Sequence, residues 1–443
     1  MSPTKVALGA IKQLGPSWGV FPRTDRICAI VFFLQSREIS KGRYLCLHFP
    51  MNTRELFYRH LAQTSPAPLE LEIVRADCAS LFDAAGKEYI DLIGGISVAN
   101  VGHRHPKVVK AIHAQVDNYL HVMVYGELVQ SPQVQYAAKL ASLLPDTLQA
   151  VYFTNSGTEA IEGAMKLAKR VTGRTRILSF KNSYHGSTQG ALSIMGDEYW
   201  RNAFRPLLPD VWSYTFNSTE AVAAINDQTA CVIMETVQAE AGIIHPKQEW
   251  IQAVRKKCSE TGTLLVLDEI QAAFGRTGQL WAFPNYEVVP DILVLGKALG
   301  GGMPLGAFIA DKKHMDQLTD APVLGHITTF GGHPVCCAAG LAALEALLDE
   351  GWMDQVRAKE KLLHQLLQHK NIRAVRSAGL WMAVEFESFE QCKNVIDYCI
   401  TRGVLTDWFL FASNCLRISP PLLIHEKQLE KAASIILEAC EQL

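Results

Sequence analysis

Short apolar runs that end on small or charged residues recur through the middle of this chain, and stretches with helical spacing lie between them. Residues 150–154, 176–180, 230–235, 263–268 and 292–295 each read as a strand. Ala160, Ala164, Leu167, Ala168 and Val171 fall on one face of a helix after the first strand, and residues 250–260 have helical spacing before the fourth. Strands that alternate with helices pack as a sheet covered on both faces. The expected fold class is therefore α/β, with a large, mainly parallel sheet. In such sheets ligands bind beyond the carboxyl ends of the strands, so the residues just past each run carry the functional information.

Two of these ends bear complementary chemistry. The run 263–268 stops on Asp268 and continues Glu-Ile-Gln271, while the run 292–295 delivers Lys297 into a loop containing Gly296, Gly300, Gly301, Gly302 and Gly306. A lysine desolvated among cationic groups loses its proton, and the neutral amine forms a Schiff base with an aldehyde. A carboxylate facing a pyridine nitrogen keeps it protonated and makes the ring an electron sink, which is the pairing pyridoxal phosphate requires. Taken singly, each has a bland reading. Lys297 is then a surface lysine beside a turn, and Asp268 caps a helix starting at Glu269. A third end, Asn155-Ser156-Gly157-Thr158-Glu159, combines a capping box with a glycine that permits close approach. It opens a helix whose free N–H groups suit an anion.

Asp268-Glu-Ile-Gln271, Gly296-Lys297 with its glycine-rich loop, and Ser156-Gly157-Thr158-Glu159-Ala160 together resemble the class III, fold-type I, pyridoxal-phosphate-dependent aminotransferases. That group includes the ornithine, acetylornithine and 4-aminobutyrate enzymes, and the resemblance runs from about residue 52 to the C-terminus. It implies pyridoxal 5'-phosphate as cofactor, held by Lys297, with Asp268 at the ring nitrogen and Ser156, Gly157 and Thr158 at the phosphate. Tyr184, in Tyr184-His185-Gly186, would stack on the ring, and Gln271 would lie near its 3-hydroxyl. Thr329 would donate to the cofactor phosphate of a neighbouring subunit, which implies a homodimer with shared active sites. His185 as a general base is the weaker reading, since in this family the lysine moves the proton.

Arg417 stands on an otherwise apolar strand, and its planar guanidinium suits a substrate carboxylate. A structural ion pair is the rival reading. By resemblance Glu240 would pair with Arg417 when that carboxylate is absent. The implied reaction moves an amino group from an amino acid or ω-amine to a 2-oxo acid such as 2-oxoglutarate. An aminomutase or racemase on the same constellation, or a catalytically silent scaffold, are the alternatives. Three positions depart from the pattern. Ser187 stands where ornithine and acetylornithine enzymes commonly have arginine, and Thr236 and Ala239 replace a usual proline and glycine.

At 443 residues the chain is too long for one small core. Residues 1–50 read as a basic, disordered extension, 51–105 as the N-terminal segment of a small domain, 106–345 as a large cofactor-binding domain, and 346–443 as the rest of a smaller α/β domain. With 49% hydrophobic residues and a net charge of -2, nothing favours nucleic acid or an anionic membrane as a partner. Eleven scattered cysteines without a C-x-x-C point to reduced thiols and a cytoplasmic location. His103 and His105 have no further metal ligands nearby in sequence, so no metal is expected.

Overall fold

The structure, a computed structural model, describes residues 52–443. The reading of residues 1–50 as a disordered extension lies outside the described residues. Helix Thr53–His60 opens with a capping box, in which Asn52 and Glu55 each accept the other's backbone N–H. Farther on, strands β1 (Ile73–Asp77), β2 (Ser80–Asp83) and β3 (Glu88–Asp91) form an antiparallel meander. The turn between β2 and β3 is closed by Asp83 Oδ1, which accepts the N–H groups of Ala85 and Lys87 at 3.0 and 2.9 Å.

Helix Pro106–Asn118 begins on the proline, whose missing N–H costs nothing at that position. His103 Nε2 pairs with Asp91 at 2.7 Å and His105 Nε2 with Glu350 at 3.2 Å, a structural use of both rings. Helix Ser131–Ala141 ends before Pro145, because the chain already turns at Ser142, whose hydroxyl donates to Lys139 O.

The large sheet contains β4 (Ala150–Thr154), β5 (Arg176–Phe180), β6 (Val211–Tyr214), β7 (Thr229–Glu235), β8 (Leu264–Asp268), β9 (Ile292–Leu295) and β10 (Gly306–Ala310). Their order across the sheet is β4-β10-β9-β8-β7-β5-β6. All run parallel except β10, which is antiparallel to both of its neighbours. Side chains of β7 alternate between two cores, and this is why the strand reads as unbroken apolar sequence. Cys231 and Ile233 pack with Ala160, Ala164, Leu167 and Ala168 of helix Gly157–Thr172. Val232 and Met234 face the other way, into the core that holds Trp250, Ile251 and Val254 of helix Gln248–Thr261. Each large side chain so buried contributes about 1.5–3 kcal/mol.

A third sheet is built from β11 (Ala374–Ser377), β12 (Met382–Glu385), β14 (Trp408–Phe409) and β15 (Ala412–Ile418), in the order β11-β12-β15-β14. Strand β13 (Val404–Leu405) instead lies parallel to β3, joining late sequence to early. Among the described residues no helix is long and apolar enough to cross a membrane.

Candidate active site

Strands β7, β8 and β9 are consecutive neighbours in the sheet, and the Cα partners Glu235 and Asp268 end two of them side by side. Lys297 follows β9 after a single glycine. All three residues line one cavity of about 310 Å³. Gly157, Thr158, Tyr184, Gln271 and Trp381 also contribute to its wall.

Lys297 adopts a φ of +49°, an uncommon conformation for a non-glycine residue and one that structures retain where the surroundings enforce it. Gly296 packs closely on the helix start, and a Cβ there would make a tight 3.3 Å contact with Gly157 Cα. Burial lowers the Lys297 pKa, with Arg417 adding to the effect and Asp268 and Glu240 opposing it. The amine is therefore biased toward its nucleophilic form.

Asp268 is buried with both carboxylate oxygens engaged. Oδ1 accepts the Ile270 N–H at 2.9 Å, and Oδ2 lies 2.8 Å from His185 Nδ1. A carboxylate only accepts, so Nδ1 carries the proton. The chain after Asp268 forms a turn rather than a helix, so the helix-cap reading does not hold. Glu235 Oε1 and Oε2 accept the N–H groups of Tyr184 and Ala239 at 3.0 and 2.8 Å. Burial, with Asp268 next, pushes its carboxyl well above the usual range.

Helix Gly157–Thr172 points its first turn at the cavity. Ser156 is its N-cap, and its Oγ accepts the Glu159 N–H at 3.3 Å. The second half of the expected capping box differs: Glu159 reaches past Ser156 and accepts from Asn155 N and Nδ2 at 2.7 and 3.1 Å. Ser156 supports the turn, while Gly157 and Thr158 face the space beyond it. A Cβ on Gly157 would stand 2.6 Å from Ile270 Cδ1.

Arg417 and Glu240 meet as a buried pair, Nη1 to Oε1 at 3.1 Å and Nη2 to Oε2 at 2.9 Å. Burial pushes Glu240 up, but the charge and hydrogen bonds of Arg417 outweigh it and hold the carboxyl below its ordinary value. Gln271 links this pair to the cavity, its Nε2 donating to Glu240 Oε1 at 3.2 Å. Thr329 is exposed and does not line this chain's cavity. The hydroxyl that supports the following Gly-Gly turn belongs to Thr328, which accepts the Gly331 N–H at 2.8 Å.

The departures are accommodated locally. The Thr236 N–H, which a proline would lack, donates to Asp268 O at 3.2 Å. Its hydroxyl donates to Glu269 Oε1 at 2.9 Å. Glu269 also accepts from Ala282 N and Phe283 N at 2.8 and 2.6 Å, and burial pushes its carboxyl up to about 7. Ala239 needs no positive φ. The Ser187 hydroxyl lies 3.3 Å from that of Tyr184.

The model of the family described as Aminotransferase class-III matches residues 61–440. The chain belongs to the class III aminotransferases. Acetylornithine aminotransferase of Methanopyrus kandleri is 39% identical over 395 residues, covering 88% of this chain and 99% of that protein. The LysW-aminoadipate semialdehyde/glutamate semialdehyde transaminase of Sulfolobus acidocaldarius is 34% identical over 374 residues, covering 83% and 94%. Among solved structures, ornithine aminotransferase from Toxoplasma gondii superimposes with a TM-score of 0.80 at 28% identity, covering 86% of this chain and 92% of that one.

Class III aminotransferases use pyridoxal 5'-phosphate. The residues present fit that group. The cavity is within the size range of small-molecule sites. It is lined by an amine, a carboxylate and a glycine-bearing helix start. Three buried polar atoms on lining residues, His185 Nε2, Gln271 Oε1 and Trp381 Nε1, have no protein partner. Native proteins rarely leave such atoms unpaired unless a ligand or water meets them.

Sequence reasoning missed Glu235 and Trp381 as cavity residues and assigned His185 no partner. Only the Tyr-His-Gly motif offered a signal, and it pointed to the ring face rather than to Asp268.

Proposed function

We propose that this aminotransferase binds pyridoxal 5'-phosphate in the cavity between β8, β9 and the start of helix Gly157–Thr172. The observation that carries this is that Lys297, Asp268, Gly157 and Thr158 line the same space. When bound, the cofactor supplies an aldehyde carbon for the substrate nitrogen and a cationic ring that draws electrons from the substrate carbon. Ser156, Gly157 and Thr158 hold the phosphate with hydroxyls and helix N–H groups. Tyr184 covers one ring face, and Gln271 offers its amide to the ring hydroxyl. Asp268, fixed by His185 and the Ile270 N–H, keeps the ring nitrogen protonated. Lys297 removes a proton from the substrate carbon and returns it elsewhere, a task suited to an amine whose pKa burial has lowered. Arg417 takes the substrate carboxylate once Glu240 withdraws, and the acceptor is a 2-oxo acid such as 2-oxoglutarate. A panel of amino donors added to holoprotein, read by the change in cofactor absorbance, tests the assignment. Lys297→Ala should bind cofactor without turning over, and retained turnover would refute the role.

The working unit in this reading is a homodimer. Val129 is 94% exposed and Phe330 54% exposed, with Leu120, Val134 and Ile327 exposed as well. The His121 and Phe330 ring centroids lie 4.8 Å apart, which brings the two segments together. Apolar surface of this kind on both sides of that contact favours a second copy of the chain as its cover. Thr329 is exposed beside Phe330, and in this reading it serves the neighbour's phosphate. A cytoplasmic location is supported by the described cysteines, all free and all buried except Cys78.

A further inference from the structure

Four consecutive residues enclose Arg417. The Thr406 hydroxyl donates to Arg417 O at 2.6 Å, and Asp407 O accepts the Arg417 N–H at 2.8 Å. Trp408 O accepts from Nη2 at 3.2 Å, and the Phe409 ring centroid lies 4.5 Å from Cζ. The Asp407 carboxylate stands 2.9 Å from Nε, as a close ion pair rather than an aligned hydrogen bond. Strand β14 pairs with β15 in this hairpin, so Asp407 travels with the arginine. Glu240 comes from the turn after β7 and occupies the opposite, Nη edge, while its Oε2 and its backbone O also accept the N–H groups of Leu410 and Phe411 in the same hairpin, each at 3.0 Å.

The guanidinium thus has one acid on its own hairpin and one whose side chain reaches in from the turn after β7. We propose that Asp407 is a specificity-determining positioning residue, a permanent counter-ion on Nε that lets Glu240 yield the Nη edge of Arg417 to a substrate carboxylate without leaving a buried guanidinium bare. This rests on the reading of Arg417 as the carboxylate clamp. Removing the partner of a buried charge is costly because nothing replaces the lost solvation. With Asp407 in place, the departure of Glu240 leaves a neutral pair, and the incoming carboxylate restores the original balance. The charges acting on Asp407 are those of Arg417, Glu240 and Asp91. Burial pushes its carboxyl up to about 6, with Arg417 opposing.

Asp407 repels Glu240 and a bound substrate carboxylate alike, so its effect on the final affinity largely cancels. What it changes is the passage between the two states. Ligands without a carboxylate need no exchange at Arg417 and are indifferent to it.

Aminooxyacetate and O-methylhydroxylamine, which react with bound pyridoxal phosphate and differ in one carboxylate, separate these cases by stopped-flow absorbance of the holoenzyme. Asp407→Asn should slow aminooxyacetate about tenfold and leave O-methylhydroxylamine within about twofold. Equal changes with both reagents, or none with either, would overturn the proposal. Arg417→Met is the control for the underlying reading. If it removes the advantage of aminooxyacetate while Asp407→Asn does not, the clamp stands and only the role of Asp407 fails. If Arg417→Met leaves that advantage intact, the clamp itself is wrong. Should Asp407→Asn not yield folded holoenzyme, Asp407→Ser, which also removes the charge, carries the test, with the same selective slowing expected and an unselective change overturning it. In apoprotein, Asp407→Asn combined with Glu240→Gln should lower the thermal midpoint by more than the two single changes together, and additive shifts count against it.

Discussion

His185 Nδ1 donates to Asp268 Oδ2 across 2.8 Å in a fully buried contact between residues 83 positions apart. In the proposed reading Asp268 faces the cofactor nitrogen, and the work of His185 is to aim that acid. Partners of this kind, where they orient metal ligands, are worth roughly 10- to 100-fold in function. His185→Leu is expected to lower kcat/KM by about that factor and to shift the pH at which cofactor absorbance changes. A variant that loses activity with an unaltered absorbance profile would show that the histidine only fills space.

The turn after Tyr184 has no room for a side chain. Gly186 holds a φ of +121°, and a Cβ there would stand 2.4 Å from Thr158 Cβ. Gly186→Ala should destabilise the apoprotein by about 1–3 kcal/mol and weaken cofactor binding, because the displaced Thr158 lines the cavity at the proposed phosphate turn. Thermal melts and cofactor titration check both effects. An unchanged melting point with unchanged affinity would contradict the geometry.

Glu269 makes stability depend on pH. Its carboxyl is raised from 4.5 to about 7 by burial. The folded state therefore binds the proton more tightly than the unfolded chain. The stabilisation is fully present below about pH 4.5 and is lost as pH rises through about 7. A shift of this size corresponds to something on the order of 3 kcal/mol. In melts taken between pH 5 and pH 8, the midpoint of the native protein minus that of Glu269→Gln should fall as pH increases. A constant difference would mean the acid is charged throughout.

Mixing two inactive or weakened proteins tests the shared site. A dimer of one Lys297→Ala chain and one Thr329→Ala chain contains one site with both residues intact, if Thr329 serves the neighbour. Co-refolded mixtures should recover up to about half of the native activity per hybrid dimer. Recovery no greater than the sum of the separate homodimers would show that Thr329 does not serve the neighbour's site.

The sequence made the sheet legible at most of the strands buried on both faces. β7, β8 and β9 read as continuous apolar runs for that reason, and the residues ending β8 and following β9 were found with them. Two strands were harder. β6 is a half-buried edge strand with a mixed Val-Trp-Ser-Tyr pattern, and β10 begins at the last glycine of a stretch that reads as loop. Side-chain partners were legible only when a motif carried them. Asp407 resembles any hairpin acid until cross-strand pairing brings it to Arg417, and Trp381 resembles any core aromatic until the cavity beside it is seen.

The arginine socket grows from a hairpin of the third sheet, whereas the amine and the ring-facing acid stand at the ends of β9 and β8 in another. On the proposed roles, admission and chemistry are thus mounted on separate frames. Changes along residues 406–409 would retune which molecules are let in while the proton-handling end of the large sheet stays as it is, so new donors are within reach of a few substitutions that leave the reaction alone.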